Sequence, residues 1–318
     1  MTPTVETRTD ASPDEAVEAP EGELAGAIQG RSPWRLALDR LRHDRVAIGA
    51  SVAIVMIALM AIVAPLVAAI TGHGPDAQNV TGLPQPPSGT YPLGTDELGR
   101  DILVRVFYGA RVSLLVGVVS ATVSAAVGAV LGIMAGYLGR AVDTVLARAF
   151  DVVLAMPYLV FAIALFTATG GNGGVVLEIA VISFFSFGAV ARIVRGQVLS
   201  IKEKEYIEAA RSLGAGSVRI MFIDILPNVA APVLVYFSLL VPVSIVFAAT
   251  LAFLGIGPPP PTPAWGGMIS DSLQYYQVAW WYLVFPGIAL LATTLAFNLL
   301  GDSVRDALDP RYNRMMAG

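Results

Sequence analysis

No cysteine occurs in the 318 residues, which at once excludes disulfides, thiolate metal sites and a cysteine nucleophile. Histidine is almost as scarce: His43 and His73 are the only two, too few for a histidine-based metal cage. Lys202 and Lys204 are the only lysines, preceded by Ile201 and Glu203. A phosphate-binding loop needs Gly-x-x-x-x-Gly-Lys-Ser/Thr, whose amides and lysine hold the phosphates, so this chain cannot hydrolyse ATP by that route. Charge is thin as well: 14% of residues are charged, where a soluble domain carries about 25%. With 55% hydrophobic residues and a mean hydropathy of +0.69, lipid is the main solvent.

The net charge of −4 misleads, because the acid is gathered in residues 1–30. There Glu6, Asp10, Asp14, Glu15, Glu18, Glu21 and Glu23 face a single Arg8. Pro, Ala and Gly fill much of the rest, a composition that predicts a disordered acidic tail. A basic segment, 31–45, follows it.

A bilayer core of about 30 Å takes roughly 20 apolar residues per helix. Six runs meet that length: 46–70, 112–138, 149–169, 175–199, 229–254 and 279–301. The fourth is the weakest, because it carries Glu178. The first is too long and too far from the N-terminus for a signal peptide, so it is read as an uncleaved span. Arg31, Arg35, Arg40, Arg42 and Arg45 precede it. Six spans then put 139–148, 200–228 and the C-terminal tail 302–318 on that same side, with Arg140, Arg148, Lys202, Lys204, Arg211, Arg219, Arg305, Arg311 and Arg314. Arg192 and Arg195 lie near it, whereas Arg100, Arg105 and Arg111 lie toward the other side. The bias makes both termini cytoplasmic and the segment 71–111 extracytoplasmic.

Small residues recur every fourth position along the second span: Ser120, Ser124, Gly128, Gly132 and Gly136. In lipid such a stripe lets two backbones approach, and packing within the chain is favoured over a subunit contact. Pro65, Pro157, Pro242 and Pro286 lie in or near spans, where a missing N–H bends a helix; a static kink is the expectation at each.

One stretch is oddly polar: "EYIEAARSLGAGSVRIMFIDILPN", residues 205–228. Lys204, Glu208 and Arg211 fall on one helix face, so Glu208 is expected to pair with either base. Tyr206, Ala209, Ala210 and Leu213 form a compact apolar stripe on another. Gly214 suits a left-handed C-terminal cap, and a second helix is expected over 217–226 before Pro227. Residue types alone leave two readings open, a solvated loop held by its own charges or a docking element.

The order Glu208-Ala209-Ala210, three residues, Gly214, then Ile225-Leu226-Pro227 resembles the EAA loop of ABC importer permeases. "PLGTDELGRDILVRVFYGARVSL" (92–114), "TLAFLGIGPPPPTPAWGGMI" (250–269) and "FPGIALLATTLAFNLLGDSVRDALDPR" (285–311) resemble the C-type permease of the dipeptide, oligopeptide and nickel family. The likeness covers residues 32–314; Pro258–Pro261 departs from it, since relatives commonly have a polar residue before a shorter proline run. It implies an all-α fold of six transmembrane helices with a permease core over 112–301, in a bacterial inner membrane. It further implies that Tyr206, Glu208, Ala209, Ala210, Leu213 and Gly214 form a coupling element seated in a cleft of an ATPase subunit. The implied partners are a second permease, two ATPase subunits or one fused two-domain ATPase, and an extracytoplasmic binding protein. ATP and Mg would be bound by the ATPase, with no cofactor in this chain. The implied cargo is peptide, with nickel or another small solute as the alternative; substrate-path residues are not assigned.

Other features have plainer readings. Asp96, Glu97, Arg100 and Asp101 are expected to form a salt-bridged cap on a short outer helix, with Thr95 as its N-cap. Trp265, after Pro258–Pro261, is expected at the membrane interface. Glu178 lies near the outer end of its span, where solvation is cheap. A secondary transporter acting alone would place ionisable residues at mid-membrane, and the central portions of all six runs have none. A membrane enzyme fares worse, with no nucleophile–base pair or metal-ligand set in view.

Overall fold

A computed structural model describes residues 33–79, 84–170 and 173–308. The acidic tail and the residues after 308 lie outside the described residues. The described chain is all-α, and its one β-like contact is an isolated bridge between Thr95 and Asp101.

Helix α1 (Pro33–His43) turns at Asp44 into α2 (Arg45–Thr71). The Asp44 carboxylate accepts from the Val46 amide at 2.8 Å, capping α2. Hydrogen bonds from Ser303 and the Val46 amide hold its pKa below the ordinary value. The basic segment before the first span is thus itself helical, and Arg40 Nη1 ties it to the Ala307 carbonyl at 3.0 Å.

Helix α3 (Ile102–Leu138) starts ten residues earlier than the apolar run suggested, so 102–111 is helical. Asp101 starts it, its Oδ1 accepting from the Leu103 amide at 2.8 Å. The charges inside this first part are spent on carbonyls. Arg105 Nη1 donates to Pro75 O at 2.9 Å and Pro261 O at 3.3 Å. Arg111 donates to Ala61 O and Ile62 O of α2. Ala61 is four residues before Pro65, which has no N–H to give it. The arginine of one helix thereby supplies the bond that a proline removed from another.

The expected third span is not a straight crossing. Helix α4 (Arg140–Ala155) and helix α5 (Tyr158–Ala168) meet at 86°. Pro157 forces the break: Met156 before it is extended, with φ −76° and ψ 133°, and Pro157 opens the next helix. The proline there turns the chain far more than a static kink. Helix α6 (Gly174–Ile201), the run weakened by Glu178, is by contrast unbroken over 28 residues. Ion pairs Asp143–Arg195 and Asp151–Arg192 fasten α4 to it.

After the short helix α7 (Glu205–Ser212) come α8 (Ser217–Arg219), a π-helical stretch (Ile220–Ile225) and α9 (Leu226–Phe253). These last three run on as one 37-residue unit, so the expected second hairpin helix has no separate end. The wide turn sits just before Pro227, whose ring would crowd the carbonyl four residues back in a tighter helix. Helix α10 (Trp265–Ser272) and helix α11 (Trp280–Leu308) complete the chain. Among the described residues, five helical units are long and apolar enough to cross a membrane, six if the bent pair counts as one.

Helix α3 is central, packed on α6, α9 and α2, while α11 closes against α9 and α2. The small-residue stripe faces α6: a Cβ on Gly128, Gly132 or Gly136 would lie 2.6–2.7 Å from Phe187–Val190, Ala191 or Val198 atoms. Ser124 Oγ donates to Ser120 O at 2.7 Å and Ser183 Oγ to Ser120 O at 3.3 Å, a weak hydroxyl bridge across the same seam. Ile48, Val52, Leu59, Ile62 and Leu66 of α2 point outward, as suits a lipid-facing surface.

The end opposite the hairpin is capped by packed aromatics. Trp265 is fully buried and donates to Val106 O at 3.0 Å, so it is not an interfacial anchor. Gly109 makes its room, since a Cβ there would meet Trp265 Cδ1 at 2.8 Å. Thr95 caps no helix: its hydroxyl accepts from the Gln85 amide at 2.8 Å, and its carbonyl accepts from Trp281 Nε1 at 3.3 Å.

Candidate functional site

The polar hairpin is built from a short helix clipped at both ends. Lys204, with extended backbone, opens α7; its carbonyl accepts from the Ile207 amide at 3.0 Å. Glu205 and Glu208 sit in the first turn, where negative charge complements the helix dipole. At the other end Gly214 has φ +81°. Its amide donates to Arg211 O at 2.9 Å and the Ala215 amide to Ala210 O at 3.0 Å. That pair of bonds is the Schellman closure, which needs a left-handed residue at this point.

One face of the hairpin is anchored. Ile207, Ile220 and Ile225 are fully buried, with Val194 and Val198 of α6 and Val229 of α9. The other face is open. Tyr206, Glu208, Ala209, Leu213 and Gly214 are exposed and Ala210 is half-buried, with Leu213 at 87%. Val218 and Ile223 add exposed apolar surface on the following helix. A leucine so bare on a short polar hairpin is a poor use of solvent contact unless something covers it.

The expected charge pairing within α7 does not form. Among the described residues no ion pair joins Glu208 to Lys204 or Arg211. Arg211 instead lies over the Tyr137 ring at 5.3 Å, with Nε 3.5 Å from its hydroxyl. Tyr137 stands at the end of α3, so this contact joins the hairpin directly to the central helix. Sequence reading missed it, because the partners are 74 residues apart. Ile207 was also missed, although its place between Tyr206 and Glu208 marks the face opposite the exposed one.

The far end of the bundle holds the densest charge cluster. Asp96 is fully buried; it accepts from the Leu98 and Arg100 amides and from Arg100 Nε at 2.6 Å. Arg100 also reaches Glu97 at 3.1 Å. These residues form a bonded turn, not a short helix, and Asp101 caps α3 instead. Burial acts to lower the Arg100 pKa, but the Asp96 and Glu97 carboxylates outweigh it and the pKa is raised. Among the described residues no group of three or more His, Cys, Asp or Glu is placed to hold a metal ion.

Glu178 does not take up cheap solvation. It is only 3% exposed, and it borders a small space of about 10 Å³ that Ser113 of α3, Ala248 of α9 and Gly266 of α10 also line.

Residues 128–314 match the family described as the binding-protein-dependent transport system inner membrane component. Residues 32–87 match the N-terminal transmembrane domain of oligopeptide transport permease C. The chain is 41% identical to the dipeptide transport system permease protein DppC of Alkalihalophilus pseudofirmus, over 88% of this chain and 90% of that one. It is 43% identical to the oligopeptide transport system permease protein OppC of Escherichia coli, over 89% and 93%. It is 39% identical to the glutathione transport system permease protein GsiD of Pectobacterium atrosepticum, over 88% and 92%.

Proposed function

Because this chain belongs to the binding-protein-dependent transport system inner membrane components, we propose that it is one permease subunit of an ATP-driven importer of di- or oligopeptides. A second, homologous permease completes the path, and an extracytoplasmic binding protein delivers the peptide. Two ATPase subunits, or one fused chain, bind ATP and Mg and supply the energy. The hairpin of α7 lies on the cytoplasmic side with both termini, in line with the basic residues gathered at that end of the bundle.

One observation carries the reading of the hairpin as the ATPase contact: a short helix closed at Gly214 holds Tyr206, Glu208, Ala209 and Leu213 outward over a fully buried isoleucine anchor. Movement of an ATPase subunit pressed on that face passes into α6 and α9 through the anchor. It passes into α3 through Arg211 and Tyr137.

The test is peptide-stimulated ATP hydrolysis and uptake in reconstituted complexes carrying Glu208→Ala or Gly214→Val. Lys204→Ala serves as the control; Arg211→Ala is unsuitable, since it cuts the Tyr137 contact. Loss of stimulation in the two variants with the control intact is expected. Wild-type stimulation in both would overturn the assignment.

A further inference from the structure

Between α4 and α5 the backbone is open. Pro157 has no N–H, and the Met156 amide turns back to donate to Val153 O at 3.3 Å. Among the described residues the Leu154, Ala155 and Met156 carbonyls and the Tyr158, Leu159 and Val160 amides have no hydrogen-bond partner. Both sides of the break thus leave polar main chain for the surroundings to satisfy.

The break lies at membrane depth. A Cβ on Gly188 would sit 3.4 Å from Leu154 Cγ, and Tyr158 meets Phe185 edge-on with ring centroids 6.0 Å apart. Both of these partners belong to α6, which is 28 residues long. A hydrocarbon core takes roughly 20 residues of helix, and every such stretch of α6 contains residues 182–193. Phe185, Gly188 and the break beside them are therefore inside the core. Lipid offers no hydrogen-bond partner there, so open backbone at that depth either packs against protein or lines water. Within this chain it is not covered: Leu154, Ala155, Pro157 and Val160 are exposed.

Charge on the same helices points to water. One turn before the break, Asp151 lies between Arg192 of α6 at 2.6 Å and Arg148 at 3.9 Å. All three are exposed, and Arg192 falls within the same stretch of α6. Charged groups at such depth face a bundle interior or a water-filled cavity. The lipid-facing α2 is the contrast, with no charged residue from 46 to 71 and no break.

We propose that the α4–α5 break lines the water-filled path of transport, with Ala155, Pro157 and Val160 facing the passing peptide. The proposal rests on the peptide reading above and assigns residues to the path. Water satisfies the open amides and carbonyls between turnovers, and a peptide main chain brings the same donors and acceptors as it passes. Tyr158 stacks on Phe247 of α9, with ring centroids 4.4 Å apart, and holds the break against the bundle. Helix α9 runs on from the hairpin, so movement there reaches the break through this ring pair.

Single cysteines test this in the assembled complex, because the chain has none of its own. Ala155→Cys and Val160→Cys are compared with Leu59→Cys, on the outward face of α2, for reaction with a charged thiosulfonate, read by mass on this chain. The reagent is attacked by the thiolate, which forms in water, so both path positions should react about tenfold faster than Leu59→Cys. Modifying Ala155→Cys with a bulky thiosulfonate should then cut alanyl-alanine uptake several-fold relative to the same variant unmodified. Labelling of both positions as slow as Leu59→Cys, in complexes that assemble normally, overturns the proposal and leaves a dry contact. Fast labelling with uptake unchanged by the bulky group overturns it as well, leaving a crevice off the path. Uptake of no peptide by the wild-type complex removes the peptide reading, and fast labelling there keeps the water-filled face.

Discussion

Adding one methyl group at Gly132 should unseat α3 from α6. The Cβ would lie 2.6 Å from Ala191 O, 2.8 Å from Val194 Cβ and 3.1 Å from Arg195 N. Two of those three atoms belong to the α6 backbone, so no rotamer change clears the space and the helices must separate. Overpacking of this kind costs about 1–3 kcal/mol, and a contact against backbone belongs in the upper part of that range. The seam has little to offset it, because without a hydrophobic force in lipid it rests on close packing and on weak hydroxyl bonds around Ser120 and Ser124. Gly196 of α6 provides the matched control, since a Cβ there meets nothing within 4 Å. Gly196→Ala should be neutral or stabilise by about 0.5–1 kcal/mol, the usual cost of glycine within a helix. Denaturation of the purified complex by SDS in mixed micelles measures both variants on one scale. Opposite signs are expected; a Gly132→Ala variant as stable as Gly196→Ala would refute the close seam.

The proline–arginine exchange between α2 and α3 gives a second prediction. Arg111→Met leaves Ala61 O without a donor and should cost about 1–3 kcal/mol, and less when Pro65→Ala restores the backbone N–H. Equal cost in both backgrounds would show that the bond is not what Arg111 contributes. Orientation gives a third: Ser88→Cys and Glu203→Cys, each alone in the cysteine-free chain, should react with an impermeant maleimide from opposite sides of the membrane. Labelling of both from one side would reverse or break the topology.

Apolar length alone marked five of the six spans, because a helix that must satisfy its own backbone in lipid leaves a run of about 20 residues. At the third it marked the run and not its bend, since hydropathy records burial and not direction. Met156-Pro157 was visible, but an 86° turn depends on what α4 and α5 each pack against. The start of α3 was hidden by Arg105 and Arg111, whose charges resemble a loop until their carbonyl partners are known. Trp265 and Glu178 were misjudged for a related reason. Both types favour the interface on average, and here Trp265 packs over Gly109 of α3 while Glu178 borders a small space shared with Ser113 of α3 and Gly266 of α10, all distant in the chain. At the hairpin, Gly214 was readable because only a left-handed cap calls for glycine in that place. The partner of Arg211 was not, because a local rule offered Glu208 while the fold offered Tyr137.

The central claim is that the open face of α7 seats against an ATP-hydrolysing subunit, and site-specific photocrosslinking at Leu213 tests it most directly. A photoreactive side chain there, where 87% of the leucine is exposed, should join this chain to the ATPase in the intact complex. The same group at fully buried Ile207 should crosslink only within the chain. Crosslinks from Leu213 to lipid or to the second permease alone, in a complex that still contains the ATPase, would contradict the account.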